Sequence, residues 1–534
     1  MSFVFINIYY RFVMFNQNQL FMKKNLRTVL FLMLMSVTLQ LSAQRFLSEV
    51  FTSTTVTSNV TYGRNWSTLY SPVSLFMDTL KADVYQPAGD TMVHRPTVFV
   101  LHPGSAFPAF YNYWCTGTKT DSAVAEMCRQ FARRGYTAIA LNYRLGWNPF
   151  STDQDTRTGS LLEALGRGVQ DIKACVRFFR NNALTSNTYH INPDMFILGG
   201  LSTGGTLALN YITLQNYSQI QIFKYLSAND NATYHFHSGT TYFDSTYWGN
   251  FDGYNGDPNL NYSGNTPGVS NAVQFGFSLE GVLGDSSWLH NGDVPMVCFH
   301  NIPDVSTPYY CGAVYSLGQF VVNVCGGHMV IHNADVFQNN FAFQNNNWTD
   351  IYTTTANQRN GGSGHDGLYP FSTASPQSAP WEWWDSTTAF QIMINQLGFT
   401  MGHADTVWYN SIADNPDMSS AKGHAYLDTV MRYLNPRIYR AVGLNVGIWE
   451  TAQQAESVSL YPNPATDQFT VNASTRSTPI RYIHVYDLTG RLVRSFDKIN
   501  KQQFMMNTRS FESGIYMLKI GFEKDEVVRK VTFQ

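Results

Sequence analysis

Residues 199–205 read GGLSTGG, a serine and a threonine set among glycines. The apolar run Met195-Phe196-Ile197-Leu198 precedes them, and Thr206-Leu207-Ala208-Leu209 follows. Two short apolar runs joined this closely read as a strand turning into a helix. In so tight a turn, side chains two positions either side of the apex would collide. Glycine at 200 and 204, in Gly200-Leu201-Ser202-Thr203-Gly204, removes the collision and leaves the Ser202 hydroxyl projecting from the sheet. The Thr203 N–H, at the start of the helix, points toward the same space. The plainer reading is a glycine-rich helix entry with no chemistry. A buried strand before the turn and a helical run after it favour a nucleophile.

Outward from this turn, strands and helices alternate. Leu80 to Tyr85 reads as a strand, and Thr97-Val98-Phe99-Val100-Leu101 as a strand buried on both faces. Val124, Met127, Cys128 and Phe131 recur at helical spacing before Gly135, and Tyr136 to Leu141 is again a strand. Val169, Ile172, Val176 and Phe179 mark a second helix. Met296 to Phe299 and Phe320 to Val324 read as two more buried strands. This alternation predicts an α/β fold with a doubly wound, mostly parallel sheet over residues 45–448. Residues 228–268 and 336–386 lack periodicity and read as long insertions.

A parallel sheet of this kind gathers its chemistry at the carboxyl ends of its strands. A serine hydroxyl needs a base to take its proton and a carboxylate to orient that base, and here the order is serine, acid, histidine. Asp304 lies just past the strand ending at Phe299, where the acid belongs; the alternative is a turn-forming aspartate. His328, His332, His365, His403 and His424 all follow it. His365, in Gly364-His365-Asp366-Gly367, follows a possible strand at Asp350 to Thr354 and is the expected base, with His403 as its rival. The loop His102-Pro103-Gly104-Ser105-Ala106-Phe107 follows a buried strand. Gly104 and Ser105 can present N–H groups there, and with Thr203 they form the expected oxyanion hole; Pro103 cannot contribute one. Such chemistry needs no metal and no cofactor.

The chain has 534 residues, 44% of them hydrophobic, which is ample for a large core. A formal charge of −2 and the lack of any Lys/Arg stripe argue against a nucleic-acid partner. Lys23, Lys24 and Arg27 precede the apolar stretch Val29 to Leu41, and Leu41-Ser42-Ala43 ends it with a small residue. Residues 1–43 thus read as upstream residues and a signal peptide cleaved after Ala43, with Met22 the better start. The stretch is too short to span a membrane comfortably. Six cysteines in an exported chain permit disulfides whose pairing the sequence leaves open; Cys175 and Cys298 sit in apolar patterns that suit buried thiols equally well.

Thr451 to Glu456 falls in a polar linker, residues 449–456. Beyond it come short alternating runs: Gln468 to Val471, Tyr482 to Tyr486, Ile515 to Ile520 and Val527 to Phe533. They predict a small all-β, immunoglobulin-like sandwich over residues 457–534.

Together the elbow at 200–204, the loop at 102–107, Ala82-Asp83-Val84-Tyr85-Gln86-Pro87, Phe131-Ala132-Arg133-Arg134-Gly135-Tyr136, Asn142-Tyr143-Arg144-Leu145 and the Asp304 turn resemble the α/β-hydrolase superfamily, in particular secreted carboxylesterases and lipases. His102-Pro103-Gly104-Ser105 departs from the glycine triplet of that family's loop, and the Asp304–His365 interval is longer than usual. Residues 457–534 resemble the type A sorting domain of the type IX secretion pathway through Ser459-Leu460-Tyr461-Pro462-Asn463-Pro464, Val485-Tyr486-Asp487-Leu488-Thr489-Gly490, Gly514-Ile515-Tyr516 and Val528-Arg529-Lys530-Val531. The resemblances imply a secreted serine esterase acting on a small-molecule or polysaccharide ester and delivered by the type IX machinery. The alternatives are a peptidase or lipase on the same scaffold, or a non-catalytic surface protein that binds glycans.

Overall fold

The computed structural model describes residues 45–69, 74–260, 266–344, 348–362, 365–374, 377–444, 458–474, 476, 478–487, 492–509, 511–523 and 526–533. The expected signal peptide and linker lie outside the described residues. The chain divides into two compact units, Met1–Gly443 and Leu444–Gln534.

Continuous apolar runs build the first unit's sheet. Its strands are β1 (Thr54–Thr68), β2 (Leu75–Pro87), β3 (Arg95–Leu101), β4 (Thr137–Leu141), β5 (Ile191–Leu201), β6 (Phe275–Leu279), β7 (Met296–Asn301) and β10 (Leu368–Phe371). They lie in the order β1-β2-β4-β3-β5-β6-β7-β10. The β1–β2 and β2–β4 pairs are antiparallel; every later pair is parallel. All seven β3 residues and all five of β4 and of β6 are buried, as befits strands covered on both faces. β8 (Cys311–Ser316) and β9 (Gln319–Cys325) form a separate hairpin closed by a Cys311–Cys325 disulfide. Cys115, Cys128, Cys175 and Cys298 are buried free thiols.

Helices of nine residues or more in this unit are α1 (Ser122–Arg133), α2 (Gln154–Leu184), α3 (Thr203–Thr213), α4 (Gly327–Val336), α5 (Ile351–Arg359), α6 (Met401–Asp414) and α7 (Ser420–Ala441). The Val124, Met127, Cys128 and Phe131 stripe is the buried side of α1. No helix among the described residues is long and apolar enough to cross a membrane.

Three expectations need correction. Phe320 to Val324 is a strand, but in the hairpin rather than the main sheet. Asp350 to Thr354 is no strand: the Asp350 carboxylate accepts from the Tyr352 and Thr353 amides and caps α5. Residues 336–386 are therefore not one insertion, since they hold α5 and the last sheet strand, β10. Residues 228–260, by contrast, contain only the short helix Ser245–Trp248, and their aromatics Phe236, Tyr242, Phe243, Trp248 and Phe251 are buried.

The second unit holds two antiparallel sheets, ordered β11-β12-β15 and β14-β13-β16-β17. Their strands are β11 (Ser459–Tyr461), β12 (Gln468–Asn472), β13 (Ile480–Tyr486), β14 (Leu492–Lys501), β15 (Gln503–Asn507), β16 (Gly514–Gly521) and β17 (Glu526–Phe533). Phe469, Val471, Ile483, Val485, Leu518 and Ile520 alternate with outward residues and meet in one core.

Candidate active site

The β5–α3 junction is the elbow the glycines predict. Ser202 sits at φ 49° and ψ −115°, a strained geometry for a side-chain-bearing residue. A Cβ on Gly204 would stand 2.4 Å from the Leu101 carbonyl oxygen and 2.7 Å from that of His102; one on Gly200 would meet the Gly204 backbone at 2.5 Å. The Ser202 amide donates to the Leu279 carbonyl at 2.6 Å, which ties the elbow to the end of β6.

The turn after β3 comes up beside it. Gly104, Ser105 and Ala106 all have positive φ (115°, 55° and 54°). The turn is held from behind by the 143–147 segment. Tyr143 Oη donates to the His102 carbonyl at 2.8 Å, Trp147 Nε1 to that of Ser105 at 2.8 Å, and the Gly146 amide to that of Ala106 at 2.8 Å. Buried Arg144 fixes the segment by pairing with Asp171 of α2 at 2.9 Å.

Ser202, Thr203, Gly104, Ser105 and Asp304 line one cavity of about 930 Å3. Five of the six expected site residues are thus brought together. Asp304 follows β7 as expected. Burial opposes its ionisation, but the His300 ring and the Ser378 and Thr307 hydroxyls hold its carboxyl below the usual carboxylate range.

His365 is the sixth, and it is elsewhere. It precedes β10 instead of following a strand, because Asp350 to Thr354 is helical. β10 stands three places from β5 in the sheet, about 14 Å at the usual strand spacing. His365 Nδ1 lies 3.3 Å from Asp335 Oδ2, and its ring packs edge-on against His328 and His332 of α4. His365 and Asp335 line a separate, smaller pocket. The rival His403 fails too: on α6, it stacks on Tyr113 and Phe399 and does not line the Ser202 cavity. Among the described residues, no group of three or more His, Cys, Asp or Glu is arranged to hold a metal ion.

In the His365 cluster the Asp335 carboxyl has a displaced titration. Burial, helped by Asp366, pushes the Asp335 carboxyl up to about 7. This acid binds its proton more tightly folded than unfolded. Its contribution to stability is complete below about pH 4 and is lost as the pH rises through about 7. Asp335→Asn, which keeps the neutral shape, is expected to raise the thermal midpoint at pH 8 and leave it nearly unchanged at pH 4. Equal shifts at both values would contradict this.

The residues the sequence reading missed all carry hydroxyls or carboxylates. Past β10, Ser378 Oγ donates to Asp304 Oδ1 at 2.7 Å, and the Ala379 amide donates to Glu280 Oε2 at 2.6 Å. Glu280 follows β6, a strand too short and glycine-broken to stand out in the sequence. Glu280, Glu382 and Asp414 line the cavity with Asp304, and among the described residues no Lys, Arg or His lines it. His300 does lie 3.5 Å from Asp304, but it is fully buried and does not line the cavity. Its Nδ1 accepts from the Gly327 amide.

A mostly parallel eight-stranded sheet with a serine elbow after β5 defines an α/β-hydrolase fold. Residues 82–241 match the family model described as BD-FAE, and residues 459–534 match that of the secretion system C-terminal sorting domain. The chain therefore joins an α/β-hydrolase fold, similar over residues 82–241 to the BD-FAE family, to a C-terminal region similar to secretion sorting domains. Similar solved structures include Thermogutta terrifontis esterase 2 phosphorylated by paraoxon (15% identity, 64% of this chain and 96% of that chain, TM-score 0.30). Another is the same organism's esterase Est2 with propionate bound (14% identity, 64% and 96%, TM-score 0.30). A comparison with curated proteins finds no match.

Proposed function

We propose that the Ser202 cavity recognises carboxylic esters and hydrolyses them only at a residual rate, because nucleophile, oxyanion donors and acid are present without an imidazole. The observation that carries this reading is Ser378 on Asp304, in a cavity without histidine. A seryl hydroxyl cannot take a proton from Ser202 at neutral pH. Hydrolytic sites that lose one triad member keep about 10³- to 10⁴-fold catalysis over water through binding and oxyanion stabilisation. The strained elbow is consistent with a serine still presented to a ligand. We further read the protein as exported through residues 1–43 and the type IX pathway, with residues 457–534 as the sorting signal.

One observation favours a second reading. Glu280 Oε1 is buried without a hydrogen-bond partner, and this carboxylate is a candidate base for Ser202. Burial, with Asp304 nearby, pushes the Glu280 carboxyl well above the usual range, so its service as a base would grow as the pH rises. One assay separates the two. Acetyl, butyryl, feruloyl and long-chain esters are offered to wild type, Ser202→Ala and Glu280→Gln, alongside fluorophosphonate labelling. The first reading expects slow hydrolysis that Glu280→Gln leaves alone and that Ser202→Ala, in a site already without its base, lowers only modestly. A kcat/KM above about 10⁴ M⁻¹ s⁻¹, rising with pH and lost in Glu280→Gln, would replace it with the second.

A further inference from the structure

The cavity's lining is one-signed. Glu280, Asp304, Glu382 and Asp414 all line it, and no cationic side chain does among the described residues. Two of these acids already have partners: Asp304 holds the Ser378 and Thr307 hydroxyls, and Asp414 accepts the Trp114 indole N–H at 2.8 Å. The other two are left wholly or partly unsatisfied. Glu382 is 1% exposed, and both its carboxyl oxygens lack a hydrogen-bond partner; Glu280 is 2% exposed, and its Oε1 lacks one. A buried carboxyl left unpaired is costly, and the cost vanishes when a donor-bearing cation pairs with it. The same lining is rich in aromatic side chains, including Tyr111, Trp114, Trp147 and Trp384. Aromatic faces favour a cation over a neutral group of the same shape. An anionic ligand would meet four acids and no counter-charge.

Resting on the ester reading of the same cavity, we propose that its ligand is a cationic ester: an apolar or aromatic body bearing a protonated amine that pairs with Glu382 and Glu280. Burial and the neighbouring Asp121 push the Glu382 carboxyl well above its ordinary range. The nearby Ala123 amide, which acts the other way, falls outside hydrogen-bond geometry. Pairing with an ammonium group reverses that balance.

The test is calorimetric titration of the full chain at pH 8 with 2-phenylethylammonium chloride and with 2-phenylethanol, which share a body and differ in charge. The amine is expected to bind at least about tenfold more tightly. Glu382→Gln should bring that preference close to parity, and Glu280→Gln should reduce it. An alcohol that binds as well as the amine overturns the inference, as does a preference that survives both substitutions. Should Glu382→Gln not fold, the wild-type comparison and Glu280→Gln still decide. Titration of the Ser202→Ala protein with 2-phenylethyl acetate reports on the ester reading separately. Ester binding with no amine advantage defeats the cation inference alone. An amine advantage without ester binding keeps the cation site and defeats the ester reading.

Discussion

Ser378→His is expected to raise kcat/KM for p-nitrophenyl acetate about 10²- to 10⁴-fold over wild type, the usual worth of a positioned general base. The argument rests on where two carboxylates converge. Asp304, after β7, binds Ser378 Oγ, and Glu280, after β6, binds the adjacent Ala379 amide. Both acids thus reach the segment that leaves β10, which is where the third triad member comes in the order serine, acid, histidine. The position holds a small hydroxyl that can hold Asp304 but cannot shuttle a proton. An imidazole there would find its orienting carboxylate already in place, and Ser202 Oγ makes no hydrogen bond among the described residues that would compete for it. The gain should vanish in Ser202→Ala/Ser378→His. A folded Ser378→His protein that is no faster than wild type would show that position 378 is not the base's place.

The second large effect concerns stability and the turn after β3 together. Asp171→Ala is expected to cost about 3–5 kcal/mol, the usual loss when one partner of a buried ion pair is removed. Arg144 and Asp171 are 1% and 2% exposed, and Asp171 also accepts the Arg144 amide at 2.8 Å. The guanidinium further donates to Gln170 Oε1 and the Trp66 carbonyl. Without Asp171 its charge is stranded beside the segment that holds Ser105 and Ala106 from behind. Urea unfolding followed by tryptophan fluorescence should show the loss, and fluorophosphonate labelling of Ser202 should slow with it. The double replacement Arg144→Met/Asp171→Leu should be less damaging than Asp171→Ala, because it strands no charge. A single variant as stable as wild type would contradict the account.

Much of the architecture was legible because it is written locally. β3, β5 and β7 are continuous apolar runs, and the α1 stripe repeats at helical spacing. β6 and β10 were missed because they are short: five residues with Gly276 inside, and four with Pro370 inside. Asp350 misled in the opposite direction, since residues 350–354 are rich in strand-favouring Thr and Tyr yet are started as a helix by the Asp350 carboxylate. That one misreading carried the histidine with it. Once α5 is helical, the last strand moves to Leu368–Phe371, and His365 falls before it instead of after it.

The sequence alone located the elbow, the aspartate after β7 and the turn after β3, because each is set by a few neighbouring residues: glycines that permit a close approach, an aspartate at a strand's exit, a turn that follows a buried run. Only the tertiary structure decided which side chains share the cavity. That depends on which end of which strand a loop leaves, and on how strands distant in sequence are ordered side by side. Folding brought Ser378, Glu280 and Glu382 to the cavity and left every histidine outside its lining.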